Sequence, residues 1–166
     1  EAKRTADYIL TLSPLPHQVV NGRESGVPFL ESIYFVGSLL DLHDFTSEQR
    51  YFDEATRLFS EMKEEYHDDI SGGWHFSGKS QEIIFGNPKP ALDGATLSPN
   101  GVAAQCAIRL GDLECAEKDL RALHMWMIEL PTATETLHQA LDMYLQANPE
   151  KEISVLKSSL SVEISL

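Results

Sequence analysis

The sequence predicts a mainly α-helical fold of stacked helical hairpins, and three observations carry that expectation. Six segments place apolar residues at the three- and four-residue spacing of a helix. Several are bounded by residues that start or stop helices, such as Ser98-Pro99, Gly111 and Asp112. A segment apolar nearly all round is followed by one apolar on a single side, as an inner and an outer helical layer require.

The first helix is expected over Ala2 to Leu12, stopped by Pro14 and Pro16. His17 to Val27 carries Asn21-Gly22 and Gly26, a turn composition that predicts a small hairpin or an extended excursion. Pro28 to Phe45 is apolar at Phe29, Leu30, Ile33, Tyr34, Val36, Leu39, Leu40 and Leu42, around most of a helix circumference. This second helix is therefore expected to be buried on several sides. Thr46-Ser47-Glu48-Gln49 has a capping-box pattern. Beyond it Tyr51, Phe52, Ala55, Leu58, Phe59, Met62 and Tyr66 recur at helical spacing among charges, which predicts an amphipathic outer helix. His67 to Gly73 breaks that helix, Trp74-His75-Phe76 alternates like a strand, and Ile83-Ile84-Phe85 reads as a second short strand.

Ala91 to Ala104 looks built for something other than packing. Asp93-Gly94 is a turn pair, Ser98 a good N-cap, Pro99 suits the first helical position, and Val102-Ala103-Ala104 begins an apolar helix. A polar loop clamped to a helix N-terminus suits an oxygen-rich ligand or a positioned carboxylate. The fourth helix runs to Leu110 and stops at Gly111. Asp112 caps a fifth, with Leu113, Ala116, Leu120, Leu123 and Met127 on one face. Thr132 and Glu135 form a capping box for a sixth, with Ala133, Leu137, Leu141, Tyr144 and Leu145 inward and an end at Asn148-Pro149. The tail, 149–166, carries Ile153, Val155, Leu156, Val162, Ile164 and Leu166 and is expected to form a strand pair.

The bulk properties narrow the function classes. The chain has 166 residues, 42% of them hydrophobic, and a mean hydropathy of -0.22, as expected for one soluble domain with a real core. Thirteen Lys and Arg against 26 Asp and Glu give a net charge of -13, which argues against nucleic acid and against an anionic membrane surface as partners. No apolar run approaches the roughly 18 residues that a membrane span needs. A soluble chain is expected, with the cytoplasm slightly favoured. The sequence starts with Glu1 rather than Met, which leaves room for a missing initiator, targeting peptide or upstream domain.

Cys106 and Cys115 form no C-x-x-C and are expected as buried free thiols rather than a disulfide. The six histidines, His17, His43, His67, His75, His124 and His138, show no H-E-x-x-H or comparable ligand spacing, so no metal and no cofactor is assigned.

Tetratricopeptide stacking lacks its 34-residue period and signature residues here. Inner and outer helix layers fit an α/α toroid instead. A full six-hairpin toroid needs about twelve helices at roughly 30 residues per hairpin, so this chain holds half, over residues 1–148.

Leu42-His43-Asp44-Phe45-Thr46, the amphipathic third helix, Gly72-Gly73-Trp74-His75-Phe76, then Lys89, Asp93-Gly94-Ala95, Ser98, Asn100 and Val102-Ala103-Ala104 together resemble one family. It is the group related to spermatogenesis-associated protein 20. Its members join a thioredoxin-like domain to a six-hairpin toroid similar to N-acylglucosamine 2-epimerases and glycosidases. The family pattern runs L-Y-x-A-T, a long helix, G-G-x-[FY]-F, then K-x-x-x-D-G-A-x-P-S-x-N-S-V-A-A. This chain departs from it at Leu97, where the family has Pro, and at Pro99 and Gly101 beside Asn100. It also keeps only one acid, Glu31, where the family reads F-L-D-D-Y-A.

The resemblance implies that the loops before Glu31 and before Asn100 lie at one end of the array, so that Glu31 and Asp93 would face one cavity. Two carboxylates flanking a sugar bond would divide the acid role from the nucleophile or base role. The competing readings are a dipole-complementing helix acid for Glu31 and an Asx-turn residue for Asp93. Trp74, His75 and Phe76 would offer a stacking surface for a sugar ring, with His75 as a proton donor, or else belong to a hairpin plugging a helical layer. Lys89, Ser98 and Asn100 complete the candidate ligand-binding set, with Ser98 first of all a cap.

Two functions follow as expectations. The first is a non-catalytic or degenerate subunit that binds a protein partner, or an oligomer mate, through the open helical face of the half toroid. The alternative is a carbohydrate-processing, epimerase- or glycosidase-like fragment that needs a missing half.

Overall fold

In the computed structural model residues 1–12, 15–26, 28–83 and 86–150 are described. Six α-helices and one two-stranded sheet make up their regular structure, apart from two 3-10 turns. The helices are α1 (Ala2–Leu10), α2 (Ile33–Thr46), α3 (Gln49–Tyr66), α4 (Pro99–Arg109), α5 (Leu113–Glu129) and α6 (Glu135–Ala147). The mainly helical class expected from the periodicity is what the chain adopts. The expected hairpin also forms, with β1 (Gln18–Val20) antiparallel to β2 (Arg23–Ser25). Its turn is Asn21-Gly22, and both residues have positive φ.

The helices pack as consecutive antiparallel neighbours, α2 on α3 and α4 on α5, while α4 lies against both α2 and α6. The centre of the core is therefore α4, on which Pro99 to Ala104, Cys106 and Ala107 are all buried. Small residues make this possible. A Cβ on Gly101 would meet the Thr136 side chain at 2.7 Å, so glycine is what lets α4 approach the start of α6. Helix α2 contributes Ile33, Val36, Leu39 and Leu40 to the same core. Helix α3 is one-sided as expected, burying Tyr51, Ala55, Leu58, Phe59, Met62 and Tyr66.

Three local expectations are corrected. The Thr46 hydroxyl does not cap α3; it donates to the Leu42 carbonyl, 2.6 Å away, at the end of α2. Ser47 then turns the chain in the left-handed region, and α3 starts behind Glu48 with no side-chain cap. The Glu48 carboxylate is drawn instead to Lys3 and Arg50. Likewise Thr132 and Glu135 form no capping box, because Pro131–Ala133 is a 3-10 turn and α6 takes its cap from elsewhere in the chain.

Trp74-His75-Phe76 is extended but is not a strand of a hairpin. Among the described residues its only pairing is an isolated bridge between Trp74 and His67. Each amide has a different partner: Trp74 N donates to Asn100 Oδ1, His75 N to the Tyr66 carbonyl, and Phe76 N to the Pro88 carbonyl. The segment is a stitch between α3, α4 and the 87–90 stretch. Ile83 has no regular structure, while Ile84 and Phe85 and the tail 151–166 lie outside the described residues.

Candidate functional site

The sequence motif gathers helix N-termini. Asp93 Oδ1 accepts from Ser98 N at 2.7 Å and from Thr136 Oγ1 at 2.5 Å, while Oδ2 accepts from Thr136 N at 2.9 Å. One carboxylate thus fixes the loop before α4 and supplies the cap that α6 lacks locally. Ser98 Oγ accepts from Gly101 N at 3.1 Å, the N-cap bond expected of it. Tyr34, in the first turn of α2, donates its hydroxyl to the Leu97 carbonyl at 2.6 Å. The starts of α2, α4 and α6 therefore meet at one end of the molecule.

The electrostatics follow from that convergence. Burial alone would raise the Asp93 carboxyl, but hydrogen bonds from Thr136 and Ser98 outweigh it and hold Asp93 below its ordinary value. It stays ionised and is a poor proton donor. Glu31 is exposed on the 3-10 turn Leu30–Ser32. Burial raises the Tyr34 phenol, and the charges of Glu31 and Asp93 add to that rise. A groove of about 440 Å³ starts here between α2 and α4, lined by Tyr34, Gly37, Leu97, Val102 and Cys106 and ending at Arg109. Arg109 is held there by Asp41 at 2.8 Å and Asp44 at 2.7 Å.

The expected ligand-binding residues separate into two groups. Trp74, Ser98 and Asn100 are each 0% exposed. The expected stacking surface is corrected on this point: the Trp74 ring is packed against Phe59 and His67, each centroid 5.3 Å away, and its Nε1 donates to Asp119 Oδ2 at 2.6 Å. Asn100 is a bridge, accepting from Trp74 N and donating to the Trp74 and Pro90 carbonyls. His75 and Lys89 are partly exposed. His75 Nδ1 donates to the Asn87 carbonyl at 2.8 Å. Lys89 Nζ reaches Asp68 Oδ2 at 2.8 Å and the Gly72 carbonyl at 2.5 Å, and this contact holds Asp68 well below the usual carboxylate range.

A second cluster went unseen in the sequence. Asp119, on α5, is 0% exposed and accepts from Gly73 N at 2.7 Å as well as from Trp74. His67 lies beside it, 2% exposed, with Nε2 3.0 Å from Asp119 Oδ1 and Nδ1 2.7 Å from Asp69 Oδ1. Burial alone would lower the His67 pKa, but the two carboxylates outweigh it and raise it. Cys115 Sγ is 3.8 Å from His67 Nε2 and 3.7 Å from Asp119 Oδ2. Thiol, imidazole and Asp69 stand in the order of a nucleophile, base and orienting acid. The thiol is 4% exposed, however, and burial pushes its pKa up, so it is no nucleophile in this state.

One signal for the cluster was available. Asp119 is three residues after Ala116 and four before Leu123, so a charge falls on the apolar stripe of α5. Gly72 and Gly73 were legible as breakers and as part of the G-G-x-[FY]-F pattern. Both have positive φ, and a Cβ on Gly72 would come within 2.5 Å of the Lys118 carbonyl, so the pair lets the turn lie on α5.

An apolar recess lies elsewhere. Between α5 and α6 is an open cleft of about 540 Å³, lined by Leu120, His124, Met127, Ile128, Leu141 and Leu145 among others. Ile128 is 68% exposed at its rim. Among the described residues no helix is long and apolar enough to cross a membrane. The chain matches no family model and no curated protein.

Proposed function

We propose that this chain is a non-catalytic helical-hairpin subunit, half of an α/α toroid, that binds a protein partner along α5 and α6. The observation that carries the reading is the open apolar cleft of about 540 Å³ between those helices, with Ile128 68% exposed at its rim. Open apolar recesses of this kind are where partner helices dock. The motif residues support the same reading from the other side. Asp93 is engaged as a double cap, and Trp74 and Asn100 are enclosed, so the polar equipment of a sugar site is bound up in holding helices.

The test is the mass of the native assembly isolated from cells that make it. An assembly heavier than the 18.5 kDa chain is expected, reverting to the single chain in Ile128→Glu. A lone wild-type monomer, or an assembly indifferent to Ile128→Glu, overturns the proposal.

A further inference from the structure

We propose that His67, Cys115 and Asp119 form a buried binding site for a divalent transition-metal ion, zinc above all, that ties the end of α3 to α5. The three residues offer an imidazole nitrogen, a sulfur and carboxylate oxygens, all within 4.8 Å of one another. Their separations are 3.0 Å for nitrogen to oxygen, 3.8 Å for nitrogen to sulfur and 3.7 Å for sulfur to oxygen. Ligand atoms held about 2.0–2.3 Å from zinc stand roughly 3.3–3.5 Å apart across a tetrahedral edge. The donors are therefore within a few tenths of an ångström of ligating distance before any ion arrives. Asp119 turns Oδ1 toward the imidazole and Oδ2 toward the sulfur, so each of the three residues has a ligand atom facing the other two.

The surroundings are those of ligating groups. Asp69 holds His67 Nδ1 at 2.7 Å, which fixes the ring and leaves Nε2 for the metal, the usual support of a ligating histidine. Gly73 N and Trp74 Nε1 hold the Asp119 oxygens. Cys115 and Asp119 are four residues apart on α5 and so share one face. A mixed nitrogen, sulfur and oxygen set suits zinc and its neighbours and disfavours calcium and magnesium, which take oxygen. Binding displaces one proton from His67 Nε2 and one from Cys115 Sγ. Two positive charges leave as two arrive, so the buried charge is unchanged. The turn beside the site is exposed at Asp69 and Ile70. Histidine spacing gave no hint of this site because His67 and Cys115 are 48 residues apart.

The test uses the full chain, stripped with a chelator and titrated with zinc chloride or cobalt chloride. One equivalent is expected to bind, with a sulfur-to-cobalt charge-transfer band and a change in Trp74 emission. Cys115→Ser should abolish that band and weaken zinc binding by more than the roughly 10–100-fold typical of lost supporting groups. Cys106→Ser, 1% exposed but outside the cluster, should leave both unchanged. Asp69→Asn, at an exposed position, should weaken zinc within that 10–100-fold range and gives a second readout should Cys115→Ser fail to fold. Absence of one-equivalent binding, or equal behaviour of the two cysteine variants, overturns the proposal.

Discussion

The loop from Asp93 to Asn100 and the cluster around Asp119 each centre on one carboxylate, yet they were built from opposite kinds of information. Asp93 serves backbone groups at helix starts, and the residues that mark those starts, Ser98 and Pro99, stand beside it in the chain. Asp119 serves a turn amide, an indole and an imidazole that come from 45 to 52 residues away. The first arrangement is half-exposed and the second fully enclosed. The cap that Asp93 gives α4 is thus written locally, whereas its hold on α6 and the buried polar network around Asp119 exist only once the fold has brought their parts together.

The sharpest way to break that contrast is to remove each carboxylate in chelator-treated protein and follow urea unfolding. Asp119→Ala leaves the Gly73 amide and the Trp74 indole without their acceptor and strips His67 of one carboxylate. A loss of about 3–5 kcal/mol is expected, as when a buried charged partner is deleted. If it costs no more than the Asp93 change, the two sites are not different in kind.

Asp93→Ala is expected to cost about 1–2 kcal/mol, the range for lost helix caps. Its pH dependence sharpens the point. The folded-state pKa lies below its ordinary value, so its stabilisation is fully present above the unfolded value of about 3.9 and is lost as pH falls through the folded value. A stability profile from neutral pH to about 2 should therefore flatten on its acid limb in Asp93→Asn. An unchanged limb would show that Asp93 is not held by Thr136 and Ser98 in solution. Glu31→Gln sits at the bottom of the scale: an exposed acid with no cap to make should shift stability by no more than about 0.5 kcal/mol in the same urea curves.

What could be read from the chain divides along the same line. The helices, the Asn21-Gly22 turn, the Ser98 and Asp112 caps and the Gly111 stop were legible because each depends on neighbours within four residues. The two capping boxes failed because other contacts competed: Thr46 closes the preceding helix, and α6 receives Asp93 from 43 residues upstream. Trp74 was legible as important, with a stacking surface and a plug in a helical layer both open as its role. Strand-like alternation says nothing of whether an indole faces water or a buried carboxylate. Asp119 left a weak trace, a charge on an apolar stripe, which periodicity treats as noise.

The cap that Asp93 gives α6 also bears on how the molecule comes into being. A helix of 13 residues is marginal in water by itself, since nucleation is costly. The chain here withholds a local cap and delivers it across 43 residues. Synthesis reaches Asp93 first, so the acceptor is already made when the segment that uses it emerges. The last helix then becomes a reporter of whether the earlier chain has folded: it gains its starting hydrogen bonds only when α4 and its loop are already in place. The array closes as a latch rather than as a row of independent pieces.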